Sequence, residues 1–260
     1  MGNQFVPPAQ LVGAIYAQWM AYDQAHPGTL DHLTSFQDAQ IGNTSGDFLL
    51  QGLDIGFSGG DGNVIVAGLL TANNVVQLGN GNDSVGMIGV NDRVSVGSGV
   101  DRLSAVGIHN QVSTGGGFDI IGYQGAGDTF ILGGGTAVIG ASGYSGGATF
   151  IAAPTTNLIV NATPSFGDDT FALSGGTAAL SLGGEGDRID IRGAVQATIT
   201  DFSGVVDLLP SLGYANSFAA AAALHSDGNG GSMLSLAGGG SIDFVGVAPG
   251  HLHAGNFAIG

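Results

Sequence analysis

Residues 73–141 read NNVVQLGNGNDSVGMIGVNDRVSVGSGVDRLSAVGIHNQVSTGGGFDIIGYQGAGDTFILGGGTAVIGA. Through this stretch an apolar residue returns at every ninth position, at Val76, Val85, Val94, Leu103, Val112, Ile121, Phe130 and Ile139. A glycine pair recurs at twice that interval: Gly79 and Gly81, Gly97 and Gly99, Gly115 and Gly117, Gly133 and Gly135. Aspartate follows the first three pairs, at Asp83, Asp101 and Asp119, and Ala137 follows the fourth. A short fixed period is the mark of a solenoid, in which each repeat buries its apolar face only against its neighbours. Two nines make a coil of eighteen: strand, turn, second strand, second turn. The fold class expected is all-β, a parallel β-roll or β-helix with 18-residue coils. At one strand spacing per coil, nine coils would stack to roughly 40 Å.

Eighteen is also three times six, so a three-sided hexapeptide helix competes. Ile88, Val94, Val100, Val106, Val112 and Phe118 do fall at intervals of six, but the run fails at Asn82 and Gln124. The nine-residue run lasts longer and favours two sides.

Outward from this stretch the register loosens through Phe150-Ile151, Leu158 to Val160, Phe171 to Leu173, Leu180 and Ile189 to Ile191. The chain divides into residues 1–40, a helical cap; 41–200, the solenoid; and 201–260, a β-rich C-terminal cap. The first part rests on Leu11, Ile15, Tyr16, Trp19, Met20 and Tyr22 at helical spacing, stopped by Pro27-Gly28. A helix from about Ala9 to Ala25 would cover the open end of a stack, since exposed coil ends need a cover.

Composition excludes several functions. The 260 residues carry a net charge of −16, no lysine and only Arg93, Arg102, Arg188 and Arg192 as strong cations. Nucleic acid binding needs a cluster of cations that this chain lacks. Without cysteine there are no disulfides or thiolate metal sites. No apolar run approaches the length of a membrane helix, so no membrane insertion is expected. No basic region followed by an apolar run and cleavage site stands at the N-terminus.

The two turns of a coil differ. One edge carries Gly79-Asn80-Gly81-Asn82-Asp83 and its equivalents at 97–101 and 115–119. Alternate glycines suit left-handed backbone and exposed carbonyls, and a carboxylate follows just behind. Calcium takes such hard oxygen ligands, so a calcium site is expected from Asp83, Asp101 and Asp119 with Gly81, Gly99 and Gly117. The alternative is that the aspartates cap their own turns. The other edge, at Asp92 and Asp128, reads as a plain packed corner.

Leu78-Gly79-Asn80-Gly81-Asn82-Asp83-Ser84-Val85 and Thr114-Gly115-Gly116-Gly117-Phe118-Asp119-Ile120-Ile121 resemble the nonapeptides of the repeats-in-toxin (RTX) family, Gly-Gly-x-Gly-x-Asp-x-apolar-x. Gly183 to Ile189 is a shortened match. Leu78, Val96, Thr114 and Leu132 replace the first glycine, and the opposite edge lacks the motif. The resemblance implies a β-roll with calcium between turns, and export without a cleaved N-terminal signal. The order Asp201-Phe202, Gly228-Asn229-Gly230-Gly231, Ile242 to Val247 and Phe257-Ala258-Ile259-Gly260 looks like the C-terminal target region of type I secretion substrates. The function expected is a secreted or cell-surface, non-enzymatic structural protein that self-associates as a homo-oligomer, filament or layer. Its partner during export would be the type I secretion machinery. The competing reading is a polysaccharide-modifying enzyme or effector on a β-helical scaffold, marked by a groove with convergent Asp, His and Tyr.

Several motifs imitate catalytic ones. Gly56-Phe57-Ser58-Gly59-Gly60 and Gly143-Tyr144-Ser145-Gly146-Gly147 satisfy the nucleophile-elbow pattern, yet neither has the strand-to-helix setting that an elbow needs. His251 and His253 lack a third ligand nearby. Asp168 with Asp169, and Asp187 with Asp190, are expected at solvated turns rather than across a cleft.

Overall fold

A computed structural model describes residues 31–142, 145–162 and 167–260. The N-terminal helix expected over Ala9 to Ala25 lies outside them. The described chain forms two stacked sheets, and as far as Val205–Leu208 successive strands fall alternately in one and the other. The long-strand sheet has 13 strands, among them Gly99–Ile108 and Gly117–Ala126. The short-strand sheet has 11, among them Val75–Gln77 and Gln111–Thr114. Through the stack every pairing is parallel and between consecutive coils.

The nine-residue period becomes two facing columns of side chains. Val85, Leu103, Ile121, Ile139, Val160, Leu180 and Ile199 stand one above another in the long-strand sheet. Val76, Val94, Val112, Phe130, Phe150, Phe171, Ile189 and Val206 do so in the short-strand sheet. All are buried. Side chains alternate across a strand, so this register is the one that turns the apolar set inward. Phe150 stacks on Phe130 at 5.0 Å and on Phe171 at 4.8 Å between ring centres. The hexapeptide alternative fails here, because Val100 of that run is 40% exposed.

The coil length is not constant. Phe130, Phe150 and Phe171 pair although their spacing exceeds eighteen, so the extra residues fall outside the paired strands. Beyond Val205–Leu208 the chain leaves the stack. It forms helix α1 (Ser217–Ala222), whose first turn is capped by Asn216 Oδ1 accepting the Ala219 N–H at 2.9 Å. An antiparallel hairpin of Ser232–Ser235 and Ser241–Val245 follows. Ser241–Val245 then extends the long-strand sheet and Phe257–Ile259 the short-strand sheet, both in parallel. Helix α1 packs against Phe257–Ile259, and Leu212, Ala220, Leu234, Leu236 and Leu252 are buried in this cover. The long-strand sheet runs out in the two-residue strand His225–Ser226, an edge too short to template another chain.

Candidate functional site

At the glycine edge, neighbouring coils approach backbone to backbone. A Cβ on Gly97 or Gly115 would stand 2.5 Å from the carbonyl oxygen of Gly79 or Gly97, and one on Gly99 would overlap that of Gly81. Of Gly79, Gly81, Gly97, Gly99, Gly115 and Gly117, only Gly117 has a positive φ. The glycines are therefore needed for close approach between coils, and the left-handed turn expected from their alternation is confined to Gly117.

This closeness lets side chains bond the backbone of the next coil. Asp61, Asn80 and Ser98 donate their N–H groups to the side chains of Asn43, Asp61 and Asn80, at 2.8–3.0 Å. A second exposed ladder joins Ser45, Asn63 and Asn82 to the N–H groups of Asn63, Asn82 and Val100. The third is buried and runs in the opposite direction. Asp83 Oδ1 accepts the Val64 N–H at 2.9 Å, and Asp101 Oδ1 accepts the Asp83 N–H at 2.8 Å. Asp119 accepts that of Asp101. The aspartates thus cap neighbouring coils, not their own turns.

The opposite edge is built the same way, although its sequence reads as a plain packed corner. Each coil turns there on a residue of positive φ: Asp54, Asn73, Asn91, His109, Gly127, Gly147, Asp168 and Gly186. The next residue points inward. Asn74, Asp92, Asn110 and Asp128 each accept, through Oδ1, the N–H of the equivalent position one coil before, at 2.8–3.1 Å. Asp169 and Asp187 resume the ladder. The recurrence of Asn or Asp at these positions is the signal that marks them in the sequence.

Asp92 uses both oxygens, its Oδ2 accepting the Thr71 hydroxyl at 2.6 Å, but in four other buried carboxylates one oxygen serves the ladder and the second stands out. Asp83 Oδ2, Asp101 Oδ2, Asp119 Oδ1 and Asp128 Oδ2 are buried without a hydrogen-bond partner. Burial pushes Asp119 and Asp128 up to about 7, and Asp83 and Asp187 up to about 6, against the favourable backbone bonds. The like charge of Asp101 adds to the shift at Asp83 and Asp119. Burial also raises Asp92 and Asp101. A buried carboxylate in this setting calls for a proton or a cation.

Asp83, Asp101 and Asp119 are thus brought together on successive coils, two residues beyond Gly81, Gly99 and Gly117. Among the described residues no three His, Asp or Glu side chains already converge as a ready-made metal cage. The spare carboxylate oxygens are hard donors of the type that calcium takes, so the donor chemistry fits calcium. The imitation motifs are dispersed. Ser145 is buried and its Oγ donates to the Ser142 carbonyl at 2.5 Å. Ser58 ends a short strand. Asp187 faces the interior while Asp190 pairs outward with Arg188 and Arg192. Asp169 belongs to the ladder and Asp168 to the corner. His251 and His253 are exposed near the C-terminal turns.

Two of the grooves on the outside of the stack lie close to these edges. One, on the long-strand sheet, is lined by Ser45, Asp47, Asn63, Asn82, Ser84 and Arg102. The other, of about 450 Å³, lies over the opposite edge beside Asn73, Asn91, Arg93, His109, Gln111 and Thr129. Its lining includes a histidine but neither the aspartate nor the tyrosine expected of a polysaccharide-modifying site. Comparison with known proteins finds no matching family model, curated protein or solved structure.

Proposed function

We propose that this chain is a secreted, non-enzymatic structural solenoid of the RTX type, stabilised by calcium at the glycine edge. The observation that carries the reading is the buried file of Asp83, Asp101 and Asp119, each with a spare oxygen, inside an uninterrupted stack of coils. Three ionised carboxylates on consecutive coils repel one another and oppose folding. Calcium would be held by these aspartates and would supply the compensating charge. In low calcium the acidic chain stays loose enough for type I export, and outside the cell the ion closes the stack.

Self-association in this reading uses the sides of the stack. The end formed by residues 205–260 is covered by α1 and the hairpin, which removes that end as a template for growth. A lateral apolar file is on display at the opposite edge, where Leu53, Val90 and Ile108 are 45%, 37% and 46% exposed. These residues stand at one register position, with Ala72 and Ala126 between and beyond them.

Thermal melting and light scattering of the full chain at neutral pH, in chelator and in millimolar calcium, test the reading. The expected result is a higher melting temperature and a larger particle with calcium, both abolished in Asp101→Asn. Equal melting curves would remove calcium, and a monomer at high concentration in both buffers would remove assembly.

A further inference from the structure

The groove over the opposite edge has polar side chains that the scaffold does not use. On the glycine edge the outer amides and hydroxyls are consumed by ladders to the next coil. Over the opposite edge Asn73, Asn91, Gln111 and Thr129 hold no side-chain hydrogen bond among the described residues. They form two files flanking the buried ladder, Asn73 and Asn91 on one side and Arg93, Gln111 and Thr129 on the other.

Arg93 is the informative member. Acidic residues outnumber arginines 20 to 4 in this chain. Arg188 bridges Asp190 and Asp207, and Arg192 bridges Asp190. Neither Arg93 nor Arg102 has such a partner among the described residues, but Asp47 lines the groove of Arg102 and no carboxylate lines that of Arg93. The nearest acidic positions, Asp92 and Asp128, are turned inward and 1% exposed. An unpaired guanidinium flanked by neutral donors and acceptors suits a ligand with a carboxylate and many hydroxyls.

The groove is open and runs along the stack across four coils, a span of about 14 Å at one strand spacing per coil. An open furrow fits a chain passing over the surface better than an enclosed small molecule. Each coil also adds its own lining residues to the groove, so a chain laid along the stack meets a new contact at every coil spacing. We propose that this groove binds a linear acidic polysaccharide, with Arg93 on a uronate carboxylate and Asn73, Asn91, Gln111 and Thr129 on sugar hydroxyls. The inference adds a ligand to the scaffold and requires neither calcium nor assembly.

Calorimetric titration of the full chain with oligogalacturonate, and with a neutral cello-oligosaccharide of equal length, tests it. The acidic oligomer should bind and the neutral one should bind at least about tenfold more weakly. Arg93→Gln should weaken acid binding by about tenfold, the value of one charge-assisted contact. Arg102→Gln, in the groove of the other sheet, should leave it unchanged. Both sites are on the surface, and unchanged melting of each variant confirms the fold. No heat with oligogalacturonate at millimolar concentration would overturn the proposal. So would equal affinity for the neutral oligomer, or an Arg93→Gln variant that binds like the parent. Loss of the calcium response with binding intact would count against the scaffold reading alone.

Discussion

Asp119→Asn separates the charge of the buried ladder from its hydrogen bonds. The folded chain raises the Asp119 carboxyl from 3.8 to about 7, chiefly by burial. Folding therefore favours the protonated form. The stability from this proton is complete below about pH 4, declines as pH rises, and is lost once pH passes about 7. At about 1.36 kcal/mol per pH unit, this shift of about three units sets a ceiling of about 4 kcal/mol at pH 8. Structural relaxation and residual solvation reduce that to about 2 kcal/mol. Asparagine keeps an acceptor for the Asp101 N–H and carries no charge, as Asn74 and Asn110 do on the opposite edge. In chelator at pH 8 the variant should melt about 4–8 °C above the parent, at 2–4 °C per kcal/mol for a chain of this size. At pH 4.5 the difference should shrink to about a quarter, because the folded parent is then protonated at this site and only ionisation of the unfolded chain opposes folding. A parent with the same melting temperature at pH 4.5 and pH 8, or a variant less stable at both, would refute the reasoning.

Val112→Asp places an unpartnered carboxylate in the inward file of the short-strand sheet and should cost several kcal/mol, unfolding the neighbouring coils in a circular dichroism melt. Phe150→Ala removes the middle ring of the Phe130–Phe150–Phe171 stack and should cost about 3–5 kcal/mol by denaturant titration. Gly99→Ala should cost about 1–3 kcal/mol, although alanine is otherwise favoured over glycine in strands, because its methyl meets the Gly81 carbonyl. A melt of that variant equal to the parent would show that the coils can part without cost.

The sheets were legible in the sequence because burial repeats with the coil: Val85, Leu103 and Ile121 had to share a face once one of them was inside. The candidate aspartates were legible as positions, but their partners were not. A carboxylate bonding an N–H some eighteen residues away is a between-coil contact, and the local motif of Gly81-Asn82-Asp83 suggested a turn bonding to itself. Asn74, Asp92, Asn110 and Asp128 were hidden because the apolar neighbours at Val90 and Ile108 disguised the corner as packing. Those neighbours are in fact the exposed ones. The C-terminal cover could not be drawn from periodicity at all, since residues 209–240 leave the stack before Ser241–Val245 returns to it.

The two ladders have a consequence for how such a gene can change its length. Suppose residues 91–108 were deleted, joining Val90 to His109. His109 would follow Asn73 at the corner, Asn110 would follow Asn74, and Val112 would follow Val76. At the other edge Gly117 would follow Gly81 and Asp119 would follow Asp83. Each rung and each packed pair would find a substitute of its own kind, so the natural unit of heritable variation is a whole coil. Duplications and deletions in that unit would pass through folding unnoticed, while a shift by a single codon would set both edges out of step at once.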